Sequence, residues 1–247
     1  MWGKRVVAIV LVSMMVASYA VAALGQMQTQ SRKIHMGVNN SGGGGGPMLT
    51  GALFDFSELE KSLLPQSPAF AGDLTVDKYK ISLLWGGGGF GGSGRLRFGG
   101  QGWNGEWTIA YPSESKAFNQ ATLTIEGGGF LMDYLLMGSS RLSLSLGTVI
   151  GGTDITLTLD NKFPTSSWSE IVKGPKSLEL TRSYFMIEPY LALQLKLTSF
   201  MGIRVSAGYL FQTSFDDWQL QDETKIKNGP LKTMTAPVFN VMLFFGK

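Results

Sequence analysis

Three groups of residues in this chain have the types and spacing to do chemistry. Gly86, Gly88 and Gly91 satisfy G-x-G-x-x-G after an apolar run. That pattern cradles a dinucleotide pyrophosphate when a helix N-terminus follows and an acidic residue stands about 20 positions on. Here more glycine follows, then Arg95 and Arg97, with no helical periodicity. The glycines read instead as residues that let a sheet bend or pack closely. No G-K-[ST] phosphate loop is present. His35 is the only histidine, too few for a histidine-based zinc centre. No nucleophile can be placed beside it to make a base–nucleophile pair. Asp216, Asp217, Asp222 and Glu223 cluster near the C-terminus; clustered carboxylates suit calcium, but the spacing is not that of an EF-hand and reads first as a solvated acidic loop. No catalytic residue, cofactor site or metal ligand is assigned.

The elements that would have to position any such group are strands. From Ile187 the odd positions read Ile187, Pro189, Leu191, Leu193, Leu195 and Leu197, against Glu188, Tyr190, Ala192, Gln194 and Lys196. After Thr198–Phe200 the pattern resumes with Met201, Ile203, Val205, Ala207, Tyr209 and Phe211, opposite Arg204, Ser206 and Gly208. A side-chain period of two gives each strand one apolar and one polar face. About 9–11 tilted residues cross a bilayer as β-structure, so this reads as a transmembrane hairpin.

Similar alternation recurs upstream. Leu142, Leu144, Leu146, Thr148 and Ile150 share a face, as do Ile155, Leu157 and Leu159, but the two runs are out of phase. A two-residue Gly151-Gly152 turn would resolve the mismatch, placing Ile155 on the side of Leu146; a bulge at Gly151 is the competing reading. Leu123 and Ile125 are likewise out of phase with Phe130, Met132, Tyr134 and Leu136, which predicts a glycine bulge at Gly127–Gly129. Further strands are expected at Met48–Phe56, Tyr79–Trp85, Arg95–Phe98, Glu106–Tyr111 and Phe239–Phe245. The count is ten, or eight if the stretch Gly86–Gly105 does not span. Ser57-Glu58-Leu59-Glu60 is a capping box that predicts a short loop helix through Leu64, ended by Pro65.

The fold class is therefore all-β, a closed antiparallel transmembrane barrel over 48–247. A flexible Gly-rich segment, 23–47, precedes it. Residues 1–22 read as a secretory signal peptide, with Lys4 and Arg5, an apolar run Val6–Val16 and cleavage after Ala20-Val21-Ala22. The chain has 33 glycines in 247 residues and no cysteine, which excludes disulfides, thiolate metal sites and a lipid anchor on cysteine. The formal charge of +3 falls to +1 without Lys4 and Arg5, so no basic field points to nucleic acid.

Parity assigns Lys80, Arg95, Arg97, Glu106, Glu126, Asp133, Arg141, Glu188, Lys196 and Arg204 to the lumen. The opposite faces place Leu142, Leu144, Leu146, Leu191, Leu193, Leu195, Ile203, Val205, Phe239, Val241 and Leu243 against lipid. Trp85, Trp107, Tyr111, Tyr134, Tyr184 and Tyr209 fall near strand ends, as interfacial girdles do. On this reading an arginine should be far better tolerated at Gln194 than at Leu193.

In these strands and in its closing run Phe239, Val241, Leu243 and Phe245, the chain resembles the small outer-membrane β-barrel proteins of diderm bacteria. The run WGGGGFGGSGRLRFGG is similar to Gly-rich members of that group, although this chain ends Gly246-Lys247. The resemblance implies outer-membrane localisation, outer-membrane lipid as partner and a barrel-insertion machinery that reads the closing strand. A monomer is expected. The mixed charges assigned to the lumen can pair across a narrow bore that side chains fill, which argues for a structural or surface-interacting role without catalysis, with a narrow channel for small solutes as the alternative. A secreted soluble β-sandwich and a lipid-acting barrel enzyme are more distant readings.

Overall fold

The computed structural model describes residues 42–59, 80–110, 120–160, 177–227 and 229–246. Residues 1–22, His35, Tyr111 and the helix beyond Leu59 lie outside them. The described chain is almost entirely strand: β1 (Gly42–Phe54), β2 (Lys80–Ser93), β3 (Leu96–Ala110), β4 (Gln120–Gly138), β5 (Leu142–Asp160), β6 (Ser177–Lys196), β7 (Met201–Thr213), the short β8 (Trp218–Leu220) and β9 (Lys225–Ile226), and β10 (Thr233–Gly246). Eight long strands pair in the order β5-β4-β3-β2-β1-β10-β7-β6, and β6 returns to β5. Every pairing is antiparallel. The sheet is a closed barrel, joined where the first strand meets the last, with Leu49 opposite Val241. Closure removes the edge strands that would otherwise invite pairing with another chain.

The two ends of the barrel differ. At one end the connections are tight: Gly94-Arg95, the residues from Ser139 to Arg141, and those from Leu197 to Phe200. Gly94 takes φ +70° in the first of these, a conformation open to glycine without a Cβ clash. At the other end lie the longer connections, including 214–232, which carries the β8–β9 hairpin. A helical turn at 57–59 follows β1.

Eight strands replace the expected ten because two apparent breaks are not breaks. β5 runs straight through Gly151 and Gly152, which pair with Gly129 and Gly128 on one side and Met186 and Phe185 on the other. Hemmed in by a strand on each side, the pair has no room to turn. β4 likewise passes through Gly127–Gly129 without a bulge; its register shift falls at Leu135/Met137. The described parts of the two expected strands, Leu96–Phe98 and Glu106–Ala110, belong to one strand, β3, so the stretch Gly86–Gly105 spans as the β2–β3 hairpin. β1 opens at Gly42 rather than Met48. The glycine run is strand there because the backbones come too close for a Cβ, which at Gly46 would collide with the Leu243 carbonyl.

What changes at the glycines is the surroundings, not the parity. Along β5 the inward residues are Ser143, Ser145, Val149, Thr153, Ile155, Leu157 and Leu159, all buried. The outward ones are apolar from Leu142 to Ile150 except for Thr148, then Asp154, Thr156 and Thr158. The barrel is thus apolar outside and largely polar inside near its turn end, and polar outside and apolar inside near its loop end. Its bore is narrow: a Cβ on Gly147 would collide with the Tyr190 ring, and one on Gly202 with the Phe244 ring.

Candidate functional site

The interior near the turn end holds the one concentration of buried charge among the described residues. β3 delivers Arg97, β4 Asp133, β6 Tyr190 and Gln194, and β7 Arg204, each at an inward position fixed by strand parity. Asp133 Oδ2 accepts from Arg97 Nη2 at 2.7 Å and from Arg204 Nη2 at 2.9 Å. Arg97 Nη1 donates to Gln194 Oε1 at 2.9 Å, and Arg204 Nη2 also reaches Tyr190 Oη at 3.4 Å. Both guanidiniums lie against Phe90, their Cζ atoms 4.9 Å and 4.8 Å from its centroid. The ring face stabilises cations that have left water, and one carboxylate shared by two arginines offsets part of the cost of burying them. The cluster carries an excess of positive charge.

A second, neutral-donor network sits next to it. Asn240 Nδ2 donates to Glu188 Oε1 at 3.1 Å and to Ser206 Oγ at 3.2 Å, while Thr50 Oγ1 donates to Asn240 Oδ1 at 2.6 Å. Gln101 Nε2 reaches Glu188 Oε2 at 3.5 Å. Glu188 is fully buried.

The loop end is capped by its own chain. Tyr184 Oη donates to the Leu231 carbonyl at 2.6 Å, and the Pro230 carbonyl accepts from Arg182 Nη1 and Trp218 Nε1, both at 2.8 Å. Leu231, 2% exposed, is held at φ 64°, a region that costs a non-glycine residue of order 1–3 kcal/mol unless its surroundings impose it. The three hydrogen bonds around it, with Glu58 Oε2 accepting from the Leu231 amide at 3.3 Å, supply that constraint.

The residues expected in the lumen divide. Arg97, Asp133, Glu188 and Arg204 are inside and buried. Lys196 and Arg141 stand at the turn-end mouth, the latter exposed. Arg95 is exposed in the β2–β3 turn, and Glu106 and Glu126 are exposed on the outer face, which corrects all three. Glu106 and Glu126 were misplaced because the apolar face moves inward near the loop end, carrying the polar face outward. The side chain of Lys80 lies outside what is described.

Leu142, Leu144, Leu146, Leu191, Leu193, Leu195, Ile203, Val205, Phe239, Val241 and Leu243 point away from the axis. Trp85, Tyr134 and Tyr209 are exposed outside. Tyr184 and Trp107 are corrections: both face inward, one in the cap and the other packed against the core. Gln194 lies inside, as its parity places it, but against Arg97 and across from Arg204, so an arginine there would meet two guanidiniums and would not be as mild as expected.

Sequence reasoning missed Tyr190, Gln194, Asn240 and Phe90. The first three were readable, since they occupy the inward parity of long strands. Nothing in the sequence singled out Phe90 among its glycines. Around the acidic loop, Lys225 Nζ approaches Asp216 Oδ1 at 3.4 Å, both side chains exposed. The Thr224 backbone N–H donates to Asp222 Oδ1 at 3.1 Å, and this and the Thr224 hydroxyl hold the Asp222 carboxyl below its ordinary pKa. No group of His, Cys, Asp or Glu able to hold a metal occurs among the described residues.

No protein-family model matches the chain, and no curated protein matches it. Among solved structures, it is similar to Ail, the attachment invasion locus protein of Yersinia pestis. The TM-score is 0.43 at 8% identity, over 84% of this chain and 99% of that one. It is similar to the outer membrane protease OmpT from Escherichia coli at TM-score 0.35 and 8% identity, over 85% and 96%. CarO of Acinetobacter baumannii follows at TM-score 0.28 and 11% identity, over 64% and 91%.

Proposed function

We propose that this protein is a monomeric outer-membrane β-barrel with a sealed lumen, whose role is structural or surface-interacting rather than catalytic. The observation that carries the reading is the inversion of faces along the barrel. The outward belt on β6 runs from Phe185 to Leu195. At ~3.3 Å per residue and a tilt near 45° that is roughly 25 Å, the height of an outer-membrane apolar band. Beyond it the outer face turns to Asp154, Thr156, Glu126 and Ser183, as water requires. Short turns at one end and long connections at the other fit periplasmic and external sides.

The sealed lumen favours this role over conduction. Ile125, Ile155, Leu84, Val149 and Met186 fill the bore at 0% exposure, the cap closes its outer end, and the Arg97–Asp133–Arg204 cluster closes the inner part. Heat-modifiable gel migration of the protein from an isolated outer membrane tests the barrel: boiled and unboiled samples run differently if it is closed and detergent-resistant. Planar-bilayer recording then tests the seal. The expected result is no steady conductance; reproducible single-channel steps would replace this reading with that of a small-solute channel.

A further inference from the structure

Below the Arg97–Asp133–Arg204 cluster the barrel opens at its turn end into a small, partly enclosed cavity of ≈ 40 Å³. One water takes about 10–15 Å³ of such space, so the cavity matches about three waters, or one tetrahedral or planar oxyanion. Three of its lining side chains are cationic, Arg97, Arg141 and Lys196, and Gln194, Ser139 and Ser143 add neutral hydrogen-bonding groups. The cavity has no carboxylate in its wall.

Among the described residues neither Arg141 nor Lys196 has an ion-pair partner. Within the cluster Asp133 Oδ2 is shared by Arg97 and Arg204, and the carboxylate of Glu188 in the adjacent network is engaged by Asn240 and Gln101. Arg97, which lines the cavity, is nearly buried, its side chain 9% exposed, yet its Nε has no hydrogen-bond partner, while in the cluster behind it Asp133 Oδ1 is also left without one. An arginine so deeply buried with a free donor costs stability that a bound anion would restore. Arg141 and Lys196 are tied together by their backbones, the Lys196 N–H donating to the Arg141 carbonyl at 2.7 Å, which sets both cations at one side of the mouth. The guanidinium's fixed fork is the group best matched to phosphate and carboxylate oxygens.

We infer that this mouth is a binding site for a small oxyanion, a phosphate or carboxylate group presented from the side of the tight turns, held by Arg141 and Lys196 with Arg97 as its floor. The site does not depend on whether the barrel conducts, because binding is measured on the folded protein in detergent. Isothermal titration with inorganic phosphate, and separately with acetate, is the test. One saturable site per chain is expected. Phosphate alone binding assigns a phosphoryl ligand, and comparable binding of acetate assigns a carboxylate. The double variant Arg141→Gln/Lys196→Gln, whose side chains lie at the mouth and outside the buried cluster, should keep the heat-dependent gel shift and weaken binding about tenfold or more. Lys225→Gln, at the opposite end, should leave it unchanged. Absence of binding at millimolar phosphate and acetate overturns the inference. So does undiminished binding in the double variant.

Discussion

The two halves of this barrel solve opposite problems with the same backbone. Near the tight turns the outer face is Leu, Ile, Val and Phe, and the inside holds Arg97, Asp133, Glu188, Gln194, Arg204 and Asn240. Near the long connections the outer face carries Asp154, Thr156 and Thr158 while Ile155, Leu157 and Leu159 pack within. The strands cross from one regime to the other without changing register. The lesson is that alternation reports the contrast between two faces, not which of them is the inside. Where the solvent outside changes from hydrocarbon to water, a straight strand imitates a phase shift.

The sharpest way to break this comparison is to remove the carboxylate of the polar half. Asp133→Asn leaves two buried guanidiniums without their counterion and should cost about 3–5 kcal/mol. The readout is a lower temperature for loss of the compact gel form, and tolerance equal to that of Asp154→Asn would mean that the cluster does not hold the turn-end interior. Next, arginine at outward Leu191 should cost about 2–4 kcal/mol if that position meets lipid, whereas outward Thr156→Arg should stay within about 0.5 kcal/mol. Denaturant unfolding from vesicles compares them; similar losses at both would place water, or lipid, along the whole outer face.

Overpacking distinguishes the narrow interior from the open exterior. Gly147→Ala pushes a methyl into the Tyr190 ring and should cost about 1–3 kcal/mol. Outward Gly51→Ala meets its nearest atom, the Phe239 carbonyl oxygen, at 3.9 Å, an ordinary contact, and should leave the same unfolding midpoint in place. The smallest effect belongs to the cap. Tyr184→Phe removes the hydroxyl bonded to the Leu231 carbonyl, a loss of about 1 kcal/mol. Amide exchange at 229–234 should quicken while β4 and β5 keep their protection; unchanged exchange would show that Trp218 and Arg182 hold the cap without it.

Much of the fold was legible in particular residues. The run from Ile187 to Phe211, with its three-residue interruption, gave the β6–β7 hairpin, its facing and its register, because a period of two leaves one arrangement that buries every polar position on one side. The closing strand was legible for the same reason. The breaks at Gly127–Gly129 and Gly151-Gly152 misled, since a turn, a bulge and a change of surroundings all write the same shift into a single strand. Glu106, Glu126 and Trp107 were misplaced by that one error. Tyr184 was not: it shares the parity of Glu188 and Tyr190, and position near a strand end was the weaker guide.

The sequence by itself determined that the chain alternates, that its strands pair with their neighbours in order, and that charged residues must share a narrow interior. These follow from backbone geometry and from the cost of leaving polar atoms unpaired. Only the tertiary structure decided that there are eight strands rather than ten, because that depends on whether Gly151-Gly152 in β5 and the stretch between Phe98 and Glu106 in β3 have a neighbouring strand on both sides. It alone decided that Asp133 serves two arginines 36 and 71 residues away. It also brought Arg97, Arg141 and Lys196 around one cavity. Those meetings are set by closure of the sheet, which joins positions that share no local pattern.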